Sequence, residues 1–152
     1  MPDPIYPPTP TTVDLPDQGV LKPFPEESRE LAMLAAQAAD DRKGANILIL
    51  QVTEVSYLSD YFVIITGFSR VQVRAIANTI RDKIEQQLRR TPRQIEGLSE
   101  GIWVLLDYGD VIVHVLLPQE RDFYNLEAFW GHAEQIPFIP TPAPLVKSPD
   151  QG

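Results

Sequence analysis

The sequence predicts an α/β (α+β) domain built on a single mixed β-sheet of about five strands flanked by helices. Three observations carry that expectation. Two short apolar runs, 46–52 and 60–66, have the length and β-branched content of buried strands. Two longer segments, 28–42 and 69–90, repeat apolar residues at helical spacing. A third apolar region, 102–117, is split by Tyr108-Gly109, which reads as a hairpin turn because Gly accepts positive φ. Helices interleaved with strands and a hairpin pack in layers around one sheet.

The first helix places Leu31, Leu34, Ala35, Ala38 and Ala39 on one stripe, with Ser28 as N-cap, and Gly44 ends it. Asn46 to Val52 is a central strand, because the run is short and follows a Gly. Val55 to Ser59 is a connection, and Asp60 to Thr66 a second buried strand. Ser69 and Gln72 then make a capping box, in which each side chain bonds the other's free backbone N–H. Val73, Ile76, Ala77, Ile80, Ile84 and Leu88 follow at helical spacing to about Arg90, where Thr91-Pro92 stops the helix. Residues 93–97 form a short edge strand, and 102–107 and 111–117 the hairpin. Pro118 breaks its second strand. Asp122 caps a last helix whose core face is Phe123, Leu126, Trp130 and Ala133.

The hairpin is the part with functional content. With Tyr108 and Gly109 as a two-residue turn, Asp107 faces Asp110 and Trp103 faces His114. Alternation then puts Val104, Leu106, Val111, Val113 and Val115 on one aliphatic face. Trp103, Leu105, Ile112 and His114 share the other, with Asp107 and Asp110 at its end. A core does not require a Trp, a His and two carboxylates on one face. A docking face has that composition, particularly with Tyr108 beside it. The plainer reading is that a helix covers this face as well, and that Asp107 and Asp110 are turn residues bonding their own backbone.

Composition narrows the class. Of 15 prolines, eight precede Ser28 and five follow Ala133, so residues 1–27 and 134–152 read as proline-rich tails around a domain at 28–133. The net charge of −8 argues against direct nucleic-acid readout, which needs clustered Lys and Arg. Residues 1–27 carry −4 of it, so the domain itself is only mildly acidic. Without cysteine there is no disulfide or thiolate chemistry, as suits a reducing compartment. No apolar run approaches the ~20 residues that span a bilayer. The prolines and acids of the N-terminus do not resemble a signal or transit peptide, so the expected location is the cytoplasm.

Two blocks carry a family resemblance. Gly109-Asp110-Val111-Ile112-Val113-His114, then Arg121, Tyr124, Leu126, Glu127, Phe129 and Trp130, resemble the signature of the ribosomal silencing factors, also called the Iojap family. Upstream, the run from Ser59 to Ser69 resembles the family's first block. Phe129 stands where the family more often has Leu, and the resemblance assigns the proline-rich tails no counterpart. The resemblance implies a nucleotidyltransferase-like sheet without the catalytic residues of that fold. It also implies a translation repressor that binds the fourteenth protein of the large ribosomal subunit and blocks subunit joining when nutrients are short. The partner-binding residues expected on this basis are Trp103, Leu105, Asp107, Tyr108, Asp110, Ile112, His114, Arg121, Tyr124 and Glu127.

Enzymatic readings have little to build on. Metal-dependent nucleotidyl transfer needs carboxylates alternating on a strand, so that both point at one Mg²⁺. Gly67 and Ser69 sit at a helix start, but Asp82 and Glu85 lie within the helix, and Asp107 and Asp110 bracket a turn. His114 and His132 are the only histidines and lack metal-ligand spacing. Tyr124 and Glu127, three apart, can present a phenol and a carboxylate side by side, with Arg121 pairing locally. The expectation is a binding module without cofactor or metal. The alternatives are a nucleotide-handling enzyme of the same fold, or a scaffold that forms a homodimer through the Trp103 face.

Overall fold

The computed structural model describes residues 25–52, 59–129 and 133–140. Its elements are α1 (Pro25–Asp41), β1 (Ala45–Gln51), β2 (Tyr61–Thr66), α2 (Arg70–Leu88), β3 (Gln94–Glu96), β4 (Trp103–Asp107), β5 (Val111–Leu116), α3 (Pro118–Tyr124), α4 (Leu126–Phe129) and β6 (Glu134–Ile136). One mixed sheet runs β3-β4-β5-β2-β1-β6. Among the described residues, β2 and β5 pair in parallel and the other pairings are antiparallel. The connection expected at Val55–Ser59 lies outside the described residues except for Ser59.

The sheet has six strands rather than about five. Glu134–Ile136 pairs with β1, and Ile136 is buried, so ordered sheet extends into the segment expected to be tail. Three residues are too few for alternation to show in the sequence. At the other boundary, α1 starts at Pro25, where a proline costs no hydrogen bond, with Glu26 and Glu27 favoured by the dipole of the first turn. Ser28 is therefore not an N-cap. It lies inside the helix and is fully buried.

α1 and α2 cover one face of the sheet. Leu31, Ala35, Ala38 and Ala39 of α1 and Val73, Ile76, Ala77, Ile80 and Ile84 of α2 meet Val63, Ile65, Val104, Leu106, Val111, Val113 and Val115 in the main core. β2, buried at every position, is the strand covered on both sides. The second face holds a smaller cluster of Leu50, Val52, Phe62, Ile64 and Leu116, with Trp103, Ile112, Leu126 and Ala133 packed against it.

Ser69 caps α2 by accepting from the Gln72 N–H at 3.0 Å. The Gln72 side chain reaches back one residue further than a standard box, to the Phe68 N–H at 2.7 Å. After Leu88 the chain leaves the helix through Arg89 in the left-handed region. The last helix differs from expectation. Pro118 opens α3 instead of only ending β5, and Asn125 at φ 47° separates α3 from α4. The helix is capped at Leu117, five residues before Asp122, and the left-handed Asn125 interrupts the stripe that would join Phe123 to Leu126. Arg121 is buried and Phe123, expected in the core, is 78% exposed. Leu126 and Ala133 do pack inward, while Trp130 lies outside the described residues.

Candidate docking surface

The hairpin turns one residue later than expected. Leu105 pairs with His114 and Asp107 with Ile112, and the Tyr108 N–H bonds the Val111 carbonyl at 2.9 Å. The two turn residues are thus Gly109 and Asp110, with Gly109 supplying the positive φ of 92°. Trp103 faces Leu116 rather than His114, and Asp107 does not face Asp110. Moving the turn by one residue shifts each cross-strand partner by two, which preserves the faces. Val104, Leu106, Val111, Val113 and Val115 accordingly share the buried aliphatic face, as alternation requires.

The shifted turn changes what its residues do. Tyr108 is not at the exposed tip; it lies on the aliphatic face at 5% exposure, and burial pushes its phenol up to about 12. Asp110 is also buried. Burial favours its neutral form, but bonds from Arg90 and Ser28 outweigh this and hold its carboxyl below the usual range. Arg90 forks onto it, with Nη2–Oδ1 at 2.6 Å and Nη1–Oδ2 at 3.1 Å, and also reaches the Tyr108 carbonyl at 2.9 Å. Ser28 Oγ donates to Asp110 Oδ2 at 2.6 Å, and the Asp60 and Tyr61 N–H groups both bond the Asp110 carbonyl. Asp107 accepts from the Gly109 N–H at 2.8 Å, the expected turn role, and lies 3.3 Å from Arg93 Nε. The tip of the hairpin is therefore stitched into the molecule.

The open end of the hairpin is where aromatic surface emerges. Trp103 donates its indole Nε1–H to His114 Nδ1 at 3.1 Å. Ring centroids are 5.3 Å apart from Phe62 to His114, 6.0 Å from His114 to Trp103, 4.9 Å from Trp103 to Tyr124, and 4.9 Å from Tyr124 to Phe123. Exposure rises along this chain of rings. Phe62 and His114 are buried, Trp103 is half-buried, Tyr124 is 53% exposed and Phe123 78%. Burial alone pulls the His114 imidazole down to about 4, so it is neutral at physiological pH. Leu105 and Ile112 are half-buried on the same face. Arg121 points inward, donating to Thr66 Oγ1 at 3.0 Å, which anchors α3 over the end of β2. The Glu127 side chain lies outside the described residues, and Asn125 breaks the helix between it and Tyr124.

Of the ten residues expected to meet a partner, the structure gathers Trp103, Leu105, Ile112 and Tyr124 toward accessible surface on one side. His114 lies behind Trp103, while Tyr108, Asp110 and Arg121 support the fold around them. Sequence reasoning missed Phe123, which it assigned to the core, and the Arg90–Asp110–Ser28 network. Ser28 carried a usable signal: it lies on the apolar stripe of α1, where a polar side chain needs a buried partner. Elsewhere, Ser69 Oγ is committed to capping α2. Among the described residues no group of three or more His, Cys, Asp or Glu is placed to hold a metal ion, and no helix is long and apolar enough to cross a membrane.

Comparison with known proteins gives a consistent result. The family model described as "Ribosomal silencing factor during starvation" matches residues 25–151. The chain is 42% identical to the ribosomal silencing factor RsfS of Bacillus subtilis over 105 residues, covering 69% of this chain and 88% of that protein. It is 39% identical to the chloroplastic protein Iojap of Zea mays over 121 residues, 80% of this chain and 52% of the maize protein. A crystal structure of a Chromobacterium violaceum protein, 38% identical, superposes with a TM-score of 0.66 over 76% of this chain and 93% of that one. With a family model covering most of its length and the second family block folded as the hairpin and the aromatic chain beside it, the chain belongs to the ribosomal silencing factor family.

Proposed function

We propose that this protein represses translation by docking the Trp103–Tyr124 surface on the fourteenth protein of the large ribosomal subunit. That surface of the ribosome faces the small subunit, so an occupied site keeps the subunits apart. The description of the matching family ties silencing to starvation, and nutrient limitation in the cytoplasm is the setting proposed here. The observation that carries the reading is the chain of rings ending in exposed Tyr124 and Phe123 on a domain of this family. Aromatic side chains whose bases are held by packing present large apolar area at small entropic cost, as interface anchors do. Blocking by bulk needs no catalysis. A domain of this size is about 30 Å across from compact-globule scaling.

Co-sedimentation tests it directly. The protein should travel with isolated large subunits and not with small subunits or intact joined ribosomes. Trp103→Ala should weaken that association by ~2 kcal/mol or more, the usual loss for a central aromatic anchor. Equal binding to both subunits, or to neither, would defeat the proposal.

A further inference from the structure

His114 is an expensive residue where it stands. It is 6% exposed between Phe62, Trp103 and the apolar cluster of that face, and its Nε2 is buried without a hydrogen-bond partner among the described residues. An imidazole nitrogen left unmet in such a place costs stability that a Phe or Leu would not. Its other nitrogen shows what it is used for. Tryptophan Nε1–H can only donate, so the 3.1 Å bond to His114 Nδ1 requires a lone pair there. The imidazole is thereby fixed as the neutral tautomer carrying its proton on Nε2. Phe62, on the strand at the other side of β5, packs edge-on against the ring at 63° between planes, which restricts its rotation.

We infer that His114 is a positioning residue, which never touches the partner but sets the indole of Trp103 at the angle on which Tyr124 packs. The indole bond and the Phe62 contact together convert a buried, immobile strand position into the orientation of a half-exposed ring. Tyr124 and Phe123 take their orientation from that ring in turn, each by a 4.9 Å contact. Without the acceptor, the Trp103 indole gains alternative rotamers and its N–H loses its partner. Binding must then supply the ordering that the free protein now provides. The inference rests on the docking reading above for its consequence, but not for its geometry.

The test separates positioning from packing. His114→Phe keeps an aromatic ring of similar size and removes both nitrogens. His114→Asn restores an oxygen acceptor as far from Cβ as Nδ1 is. The Trp103 indole N–H resonance, assigned by its disappearance in Trp103→Phe, should be protected from solvent exchange in the parent and in His114→Asn. It should lose protection in His114→Phe. Imidazole nitrogen shifts should show Nδ1 unprotonated at neutral pH. Affinity for isolated large subunits should fall about fivefold in His114→Phe, the value of one net hydrogen bond, and recover in His114→Asn. His114→Phe should melt no lower than the parent, which a purely structural role would not produce. Equal indole protection in the parent and His114→Phe overturns the inference, as does a binding loss that His114→Asn fails to rescue. If the parent itself does not bind large subunits, the proposed function falls, and the indole protection still decides the positioning. Should His114→Phe not fold, protection and affinity in His114→Asn decide alone.

Discussion

Two buried ionisable groups near the hairpin give the protein separate pH responses. His114 has its folded value pulled to about 4 from an unfolded value near 6.5. Between those values the unfolded chain binds more protons, so stability is full above pH 6.5 and is lost as pH falls toward 4. The whole window is worth about 3 kcal/mol. Denaturant titrations at pH 7, 5.5 and 4 should show this slope in the parent, and His114→Phe should flatten it. Asp110, held below its ordinary range, acts in a lower window: its contribution is present above the unfolded carboxylate value and is lost as pH falls through the folded one. Removing that carboxylate by Asp110→Ala should cost about 3 kcal/mol, because Arg90 and Ser28 lose their shared partner inside the protein. A loss below about 1 kcal/mol would mean that water replaces the carboxylate readily. None of this pairing was legible from residue spacing. Arg90 follows α2 and Ser28 lies 82 residues before Asp110, and sequence patterns report periodicity, not such long-range meetings.

At the scale of elements, the sequence was most readable where one periodicity ran long. α2 spans Arg70–Leu88 with the expected buried stripe, and the β4–β5 faces survived a misplaced turn because the pleat has a period of two. What failed was punctuation. Gly109 was correctly read as a turn glycine, but Tyr108-Gly109 and Gly109-Asp110 both make acceptable two-residue turns. The choice between them came from contacts to Arg90, Ser28, Ser59 and the 60–61 backbone. Pro118 ends β5 and also opens α3, and the left-handed Asn125 that closes α3 leaves Phe123 on the surface rather than on one stripe with Leu126. Gly97 tests how tightly the elements hold the proposed docking surface. It sits at φ 79° between β3 and β4, and a Cβ there would lie 2.0 Å from the Trp103 carbonyl oxygen, a backbone atom. Gly97→Ala must therefore move the backbone that carries Trp103. It should lower the melting temperature by several degrees and also weaken large-subunit binding. A variant that lost stability with full binding would show that the Trp103 backbone can shift freely without cost to docking.

Over the whole molecule, the two ends of the sheet differ in how they are closed. The end with the hairpin tip is closed by Arg90, Asp110, Ser28 and the residues around Ser59. The opposite end follows the C-termini of β2, β5 and β6, which run in the same direction. Phe68, Val71, Phe123, Tyr124 and Ile139, the large exposed apolar residues among those described, all come after these strand ends. Of these, Phe123 and Tyr124 continue the ring chain from Trp103, and exposed apolar surface of that kind suits contact with another macromolecule. Charge then governs approach. Ribosomal proteins are generally basic, so an acidic rim should speed encounter and be screened within ~10 Å at 0.1 M salt. Two acids expected among the partner-binding residues are already engaged, Asp107 by Arg93 and Asp110 by Arg90. Asp122, exposed beside Phe123 and Tyr124, is the better candidate. Reversal by Asp122→Lys should lower the on-rate for large subunits more than it raises the off-rate, with the difference shrinking as salt rises. Deleting residues 1–24, which carry −2 of the net −8, should change the on-rate less. Stopped-flow association across a salt series distinguishes the two. If the tail deletion slows encounter as much as Asp122→Lys does, steering follows overall acidity, and the α3 rim has no special part in it.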